Sequence, residues 1–214
     1  LGGYGADGAA AMIMSVQDPN PIVRARAVTN LTLSVERGEV FGLLGPNGSG
    51  KSSLLRLMAG LLAPAHGALT WAGQPTRDDP EAHNGRLHYV GHLDAVKPML
   101  SVAENISFWA ALRSPQDRVA EALEAFGISR LAEIPARLLS AGQKRRVNLA
   151  RIIAAPAPLW LLDEPTTALD RDTVQGLEKL IAEHRANNGR VVVSTHSELT
   201  MADAQHLDLA GYSS

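Results

Sequence analysis

The chain has 214 residues, between one and two domains at about 150 residues each, so it holds one large domain or a core carrying a smaller insert. Hydrophobic residues at 45% and charged residues at 20% exclude a disordered chain, a collagen-like repeat and a bundle of membrane spans. A formal charge of -2 gives no global attraction to nucleic acid or an anionic membrane, and the absence of cysteine excludes a disulfide framework, a thiolate metal site and a thiol nucleophile, as suits a reducing cytoplasm.

At the N-terminus, Leu1 and the Gly/Ala-rich stretch Gly2 to Ala11 read as an unusual or misplaced start, with Met12 or Met14 as alternative beginnings. Residues 1–14 are therefore expected to be a disordered tail or a mis-assigned start, and 15–214 the folded domain. No Lys or Arg precedes Arg24 and the only apolar cluster is Met12-Ile13-Met14, so neither the basic nor the hydrophobic part of a secretory signal is present and the protein is expected to stay where it is made. Val40 to Leu44 is a short apolar strand, followed by glycine-rich punctuation and then by Leu54, Leu55, Met58, Leu61 and Leu62 at helical spacing over Ser52 to Leu62. The uncharged stretch Leu57 to Thr76 is broken by Gly60, Pro64, Gly67, Gly73 and Pro75, so it is no membrane span.

Ala68 to Trp71 and Leu87 to Val90 read as strands separated by a polar turn region, Gly73 to Gly85, with Asp78-Asp79-Pro80 inside it. Ser101 and Glu104 form an S-x-x-E capping box ahead of a helix bearing Ile106, Phe108 and Trp109. A second helix after Ser114-Pro115 places Val119, Leu123 and Phe126 on one face and stops at Gly127. Residues from about 93 to 138 thus form a mostly helical insert. Ser140 caps the next helix, to about Ala154, and Leu159 to Leu162 is a buried strand ending in Asp163-Glu164-Pro165. Asp172 to Ala186 is amphipathic with Val174, Leu177, Leu180 and Ile181 inward, and Gly189 precedes the strand Val191 to Val193. Strands alternating with helices predict an α/β fold with a mostly parallel, helix-covered sheet, whose ligands bind beyond the carboxyl ends of the strands.

Gly45-Pro46-Asn47-Gly48-Ser49-Gly50-Lys51-Ser52 matches G-x-x-x-x-G-K-[ST] between a predicted strand and a predicted helix, with Ser53 next on that helix. Glycines let successive N–H groups face phosphate oxygens, the helix N-terminus adds positive potential, Lys51 reaches β- and γ-phosphates, and Ser52 can ligate Mg²⁺. The plain alternative is an ordinary glycine turn. Asp163 and Glu164 supply the complementary half: the first acid can share Mg²⁺ with Ser52 and the second can orient a water. Without the loop, such strand-terminal acids are solvated caps or ion-pair partners.

Leu139-Ser140-Ala141-Gly142-Gln143, about twenty residues before the paired acids, resembles the signature motif of ATP-binding-cassette ATPases. Thr167-Ala168-Leu169-Asp170 is similar to their D-loop, and His196 in Ser194-Thr195-His196-Ser197 to their switch histidine. The likeness spans roughly residues 30 to 200. It implies the P-loop NTPase fold of that family, with an antiparallel β portion near the N-terminus. It implies ATP and Mg²⁺ as cofactors, with Lys51, Glu164 and His196 catalytic and Ser52 and Asp163 at the metal. It further implies a homodimer in which Ser140 and Gly142 of one subunit close over the γ-phosphate held by the loop of the other, with Asp170 alongside. By physics alone Ser140 is a helix cap and Lys144-Arg145-Arg146 a solvated basic turn.

Two positions depart from the family. Gly91-His92 occupies the place of the glutamine that senses Mg²⁺ and contacts the membrane subunit, and Ile22-Val23 stands where an aromatic residue stacks on adenine. His83, His88 and His92 admit a structural reading as well as a metal or haem one.

Gly91-His92, Lys97, Ser101 to Asn105, Phe108-Trp109 and the run Pro158 to Pro165 resemble the ATP-binding subunits of cytochrome c maturation transporters. That resemblance implies a peripheral ATPase on the cytoplasmic face of an inner membrane. It would touch the membrane only through separately encoded membrane-spanning subunits, bind no nucleic acid, and drive haem export or haem-chaperone release. The nearest alternative is an ABC ATPase serving another substrate; an ATPase of DNA repair or ribosomes and a non-hydrolytic nucleotide clamp are further ones.

Overall fold

A computed structural model describes residues 12–16, 31–64, 67–113, 118–195 and 203–211. The strand elements are β1 (Met12–Val16), β2 (Leu31–Val35), β3 (Val40–Leu44), β4 (Leu69–Trp71), β5 (Gln74–Pro75), β6 (Leu87–Val90), β7 (Leu159–Asp163), β8 (Arg190–Ser194) and β9 (Gln205–Asp208). The helices are α1 (Lys51–Met58), α2 (Pro80–Gly85), α3 (Val102–Arg113), α4 (Val119–Ala125), α5 (Ala141–Ala154) and α6 (Arg171–Ala186). Two sheets result: an antiparallel one in the order β2-β1-β4-β5, and a five-stranded one in the order β6-β7-β8-β3-β9 whose every pairing is parallel. The predicted α/β class, with its antiparallel portion near the N-terminus, is the observed one.

The inner parallel strands β3, β7 and β8 are buried on both faces, which is why they read as apolar runs rather than alternations. Leu159, Leu161 and Val192 face α1, packing with Leu54, Leu55 and Met58. Trp160, Leu162, Val191 and Val193 face the other way, toward α5, α6 and the insert. Arg190 joins the two sheets: its Nε donates to Val35 O at 3.1 Å and its guanidinium lies 4.8 Å from the centre of the Trp71 ring.

Several boundaries differ from expectation for local reasons. Met12, Ile13 and Met14, expected in the tail, pair with β2 and β4. The helix expected to reach Leu62 stops at Met58 because Gly60 takes φ 72. Gly60 N and Leu61 N turn back to Leu57 O and Arg56 O, a glycine-terminated helix end. Within the expected turn region, Asp79 accepts from Ala82 N at 2.9 Å and starts α2, with Pro80 at its first position.

Between Leu93 and Leu138 the described residues include α3 and α4. Ser101 and Glu104 make their reciprocal cap, Ser101 N to Glu104 Oε2 at 2.7 Å and Glu104 N to Ser101 Oγ at 3.1 Å. Phe126 is buried and Phe108 is exposed. Arginines bind the insert and α5 to β6: Arg113 donates to Leu87 O and Asn84 O, and Arg151 donates to Tyr89 O with Trp109 stacked on it at 4.5 Å.

His83 and His88 are buried, and their rings bond to Met58 O and Ala155 O. Buried and bonded to backbone carbonyls, these two histidines take the structural reading. His184 stacks on Trp160, with ring centroids 3.8 Å apart, and a Cβ at Gly189 would run into its ring. Burial lowers His88 to about 3 and His184 to about 4 from the ordinary 6.5. Both rings are neutral when folded and take protons on unfolding below pH 6.5. Stability is therefore complete above that value and is lost as pH falls, by about 1.4 kcal/mol per pH unit for each ring down to its folded pKa. Thermal melts are expected to hold their Tm from pH 7.5 to about 6.5 and to fall from there to pH 5, less steeply in His184→Phe, which keeps the stack without a titrating nitrogen; a parental profile that stays flat down to pH 5 would contradict this.

Candidate functional site: a phosphate loop facing two acids

Hydrogen-bond register sets the site. Asp163 of β7 and Leu43 of β3 both pair with Ser194 of β8, aligning the three strand ends, and the loop 45–50 springs from β3 just beyond them. Gly45, Gly48 and Gly50 take φ values of 132, 83 and 98, a backbone that residues with a Cβ rarely adopt. At Gly45 a Cβ would also meet Ser49 Oγ at 2.7 Å. Gly50 caps α1 without a side-chain bond, and no acid lies in the first turn. The first N–H groups of α1 thus keep their capacity for an anion at the positive end of the helix. Pro46, Asn47 and Gly48 are exposed at the loop tip, while Ser49 and Lys51 are buried beneath it and Ser53 is half-buried on α1.

Lys51 Nζ donates to Gly45 O at 2.6 Å and Pro46 O at 3.2 Å. The ammonium therefore sits inside the loop it follows, where phosphate oxygens are stronger acceptors than carbonyls. Ser52 Oγ donates to Asp163 Oδ1 at 3.0 Å, and Ser194 Oγ donates to the same oxygen at 2.6 Å. Asp163 Oδ2 is buried and accepts no hydrogen bond. A buried carboxylate oxygen without a donor, next to a serine hydroxyl, is a donor set for a hard divalent cation, so these residues fit Mg²⁺. Ser194 was not singled out from the sequence: a serine at a strand end is common, and only strand register reveals its contact with Asp163.

Glu164 stands at φ 47, and its N–H is held by Ser194 O at 3.1 Å and Ser194 Oγ at 3.0 Å. Backbone in this region costs about 1–3 kcal/mol and persists where surrounding contacts impose it. The carboxylate is 25% exposed, and its Oε2 lies 3.8 Å from His92 Nδ1, so the exposed histidine predicted at the glutamine position does reach the acid pair. Asn105 fixes the segment beyond His92, accepting from Lys97 N at 2.7 Å and donating to Lys97 O, Leu100 O and Ser101 O.

Ser140 and Gly142 lie apart from this cluster in their contacts. Ser140 caps α5 reciprocally with Gln143, and a Cβ on Gly142 would meet Ala168 O at 2.6 Å. Asp170 caps α6 through Thr173 N at 2.9 Å and pairs with Arg146, so the signature helix and the D-loop are tied together within one chain. Arg145, read as part of a solvated basic turn, is buried instead. His196 and Ile22-Val23 lie outside the described residues.

A phosphate loop leaving an inner strand of a parallel sheet, two acids at the end of the strand two places along and a capped signature helix behind a helical insert define an ATP-binding-cassette ATPase. Residues 28–167 match the family described as ABC transporter. The chain is 60% identical over 184 residues to a cytochrome c biogenesis ATP-binding export protein CcmA of Paramagnetospirillum magneticum, covering 84% of this chain and 85% of that one. It is 62% identical over 180 residues to the CcmA of Rhodospirillum rubrum, covering 84% and 77%. Among solved structures, a putative ABC transporter ATP-binding protein from Pyrococcus furiosus superposes with a TM-score of 0.79 at 28% identity, covering 96% of this chain and 100% of that one. The chain belongs to the ABC transporter family and, within it, to the cytochrome c biogenesis ATP-binding export proteins. It is an ATP-binding, ATP-hydrolysing subunit of a transporter complex with membrane subunits.

Proposed function

We propose that the chain is the ATPase subunit of an inner-membrane complex for c-type cytochrome biogenesis, where ATP hydrolysis drives haem export or release from a haem chaperone. The likeness of 60% over most of both chains to a protein so named carries this reading. In this reading the ATPase sits peripherally on the cytoplasmic face of that membrane. Among the described residues no helix is long and apolar enough to cross a membrane. Its membrane contact runs through the membrane-spanning subunits of the cytochrome c maturation system.

In the catalytic cycle the N–H groups of residues 47–53 and Lys51 bind the β- and γ-phosphates. Ser52 and Asp163 would hold Mg²⁺, whose charge would offset that of the phosphates. Glu164 accepts a hydrogen bond from the attacking water and orients it in line with the γ-phosphorus, assisted by His196. A homodimer completes the site, Ser140 and Gly142 of one protomer closing over the γ-phosphate held by its partner, with Asp170 at the same seam. The exposure of Ser140 at the N-cap of α5 supports this.

His92 joins the metal side of the site to the insert. Leu93, Met99 and Leu138 are exposed at 83%, 72% and 66%, an apolar surface suited to a partner helix. His92→Ala is expected to leave ATP binding close to the parent's while covalent haem in c-type cytochromes falls several-fold; normal cytochromes in that strain would remove the coupling role from His92. Purification of the tagged chain from membranes tests the assembly: co-purifying membrane subunits encoded beside other cytochrome c maturation genes are expected, and subunits of an unrelated transporter would support the other-substrate reading.

A further inference from the structure

The Arg145 side chain is only 4% exposed, although it sits in a Lys-Arg-Arg run. A guanidinium has five N–H donors in a fixed plane, and here they meet five acceptors. Nε donates to Pro165 O at 3.3 Å, Nη2 to Asp163 O at 2.7 Å and Glu164 O at 2.8 Å, and Nη1 to Gly91 O at 2.7 Å and Asp94 Oδ1 at 3.4 Å. Three consecutive carbonyls around the acid pair are thus gripped by one cation. A lysine could not reproduce this, having a single nitrogen and three donors.

The consequence falls on Glu164. Its N–H is held by Ser194 and its C=O by Arg145, so the φ of 47 is imposed from both sides. The same guanidinium holds the carbonyl of Gly91, immediately before His92, and therefore sets the spacing between the His92 and Glu164 side chains. Arg145 also belongs to α5, whose N-terminus carries Ser140 and Gly142. A rigid helix joins the signature motif to this clamp within about one and a half turns.

We propose that Arg145 is a positioning residue: it holds Glu164 and the Gly91–His92 segment in register with the signature helix, so that placement of α5 dictates placement of the carboxylate. The inference rests on Glu164 being the group that orients water.

The test uses the full chain assembled with its membrane subunits, as parent, Arg145→Lys and Glu164→Gln. It reads turnover at saturating ATP, ATP affinity, and the nucleotide recovered from the complex after incubation with Mg·ATP. Arg145→Lys is expected to lower kcat about 10²-fold, the scale of an ångström misplacement, with little change in affinity and with the bound nucleotide recovered as ATP, as in Glu164→Gln. A merely structural role would instead lose bound nucleotide in step with activity, and that outcome overturns the proposal, as does parental kcat. Should Arg145→Lys fail to fold, Asp94→Ala decides: it removes one acceptor and leaves four carbonyls, so a several-fold drop in kcat at unchanged affinity supports the clamp and parental kcat overturns it. Parental turnover in Glu164→Gln would overturn the role of Glu164 and this inference with it. An inactive Glu164→Gln beside a fully active Arg145→Lys would overturn the inference alone.

Discussion

Glu164→Gln is expected to bind ATP about as well as the parent and to lower turnover by about 10²–10⁴-fold, the usual worth of a positioned general base, or about 3–5 kcal/mol of barrier. The amide is nearly isosteric, and the backbone at 164 is held through its N–H by Ser194 and its C=O by Arg145, neither of which the substitution touches. What disappears is the carboxylate charge that polarises water beside the γ-phosphate. The variant should accumulate with ATP bound, visible as ATP rather than ADP after acid quench of the washed complex. Undiminished hydrolysis would show that Glu164 is not the catalytic carboxylate.

Lys51→Ala is expected to weaken ATP binding by on the order of 10²-fold, the loss of a buried charge-assisted contact worth a few kcal/mol. Lys51 is buried, and its Nζ already points into the loop toward Gly45 O and Pro46 O. Removing it leaves the phosphate oxygens with backbone donors alone. Helix α1 should survive, because Leu54, Leu55 and Met58 anchor it in the core. Titration of a fluorescent ATP analogue, with circular dichroism as the control for folding, measures both; an unchanged dissociation constant at an unchanged spectrum would contradict the phosphate-loop assignment.

The parts of the site legible from the sequence were those in which spacing along the chain equals geometry in space. The motif 45–52 runs from the end of β3 into α1 as required, and Ser52 reaches Asp163 across 111 positions because Asp163 ends one parallel strand and Ser52 follows the loop beyond another. Capping signals were equally reliable at Ser101, Ser140 and Gly127, where one residue decides the local backbone. Elements that draw their stability from elsewhere were not legible. Strand β9 carries exposed Gln205 and His206 and exists because the edge of β3 offers it partners. Helix α2 hid in a polar segment, although Asp79-Pro80 is a helix start by the same rules that identified the others. Arg145 was missed because a basic run normally faces water; only the convergence of three strand-end carbonyls, visible in the fold alone, makes burial favourable. His83, His88 and His92 looked alike in sequence, and burial separates two structural rings from the one beside Glu164.

The central claim is that ATP turnover at this site serves c-type cytochrome biogenesis. It is tested most directly by replacing the chromosomal copy with the Glu164→Gln chain and staining cell proteins for covalently bound haem. The account predicts that c-type cytochromes disappear while the subunit itself remains present in the membrane fraction. Normal haem-stained cytochromes in that strain, with the variant present and its ATPase activity abolished, would contradict it.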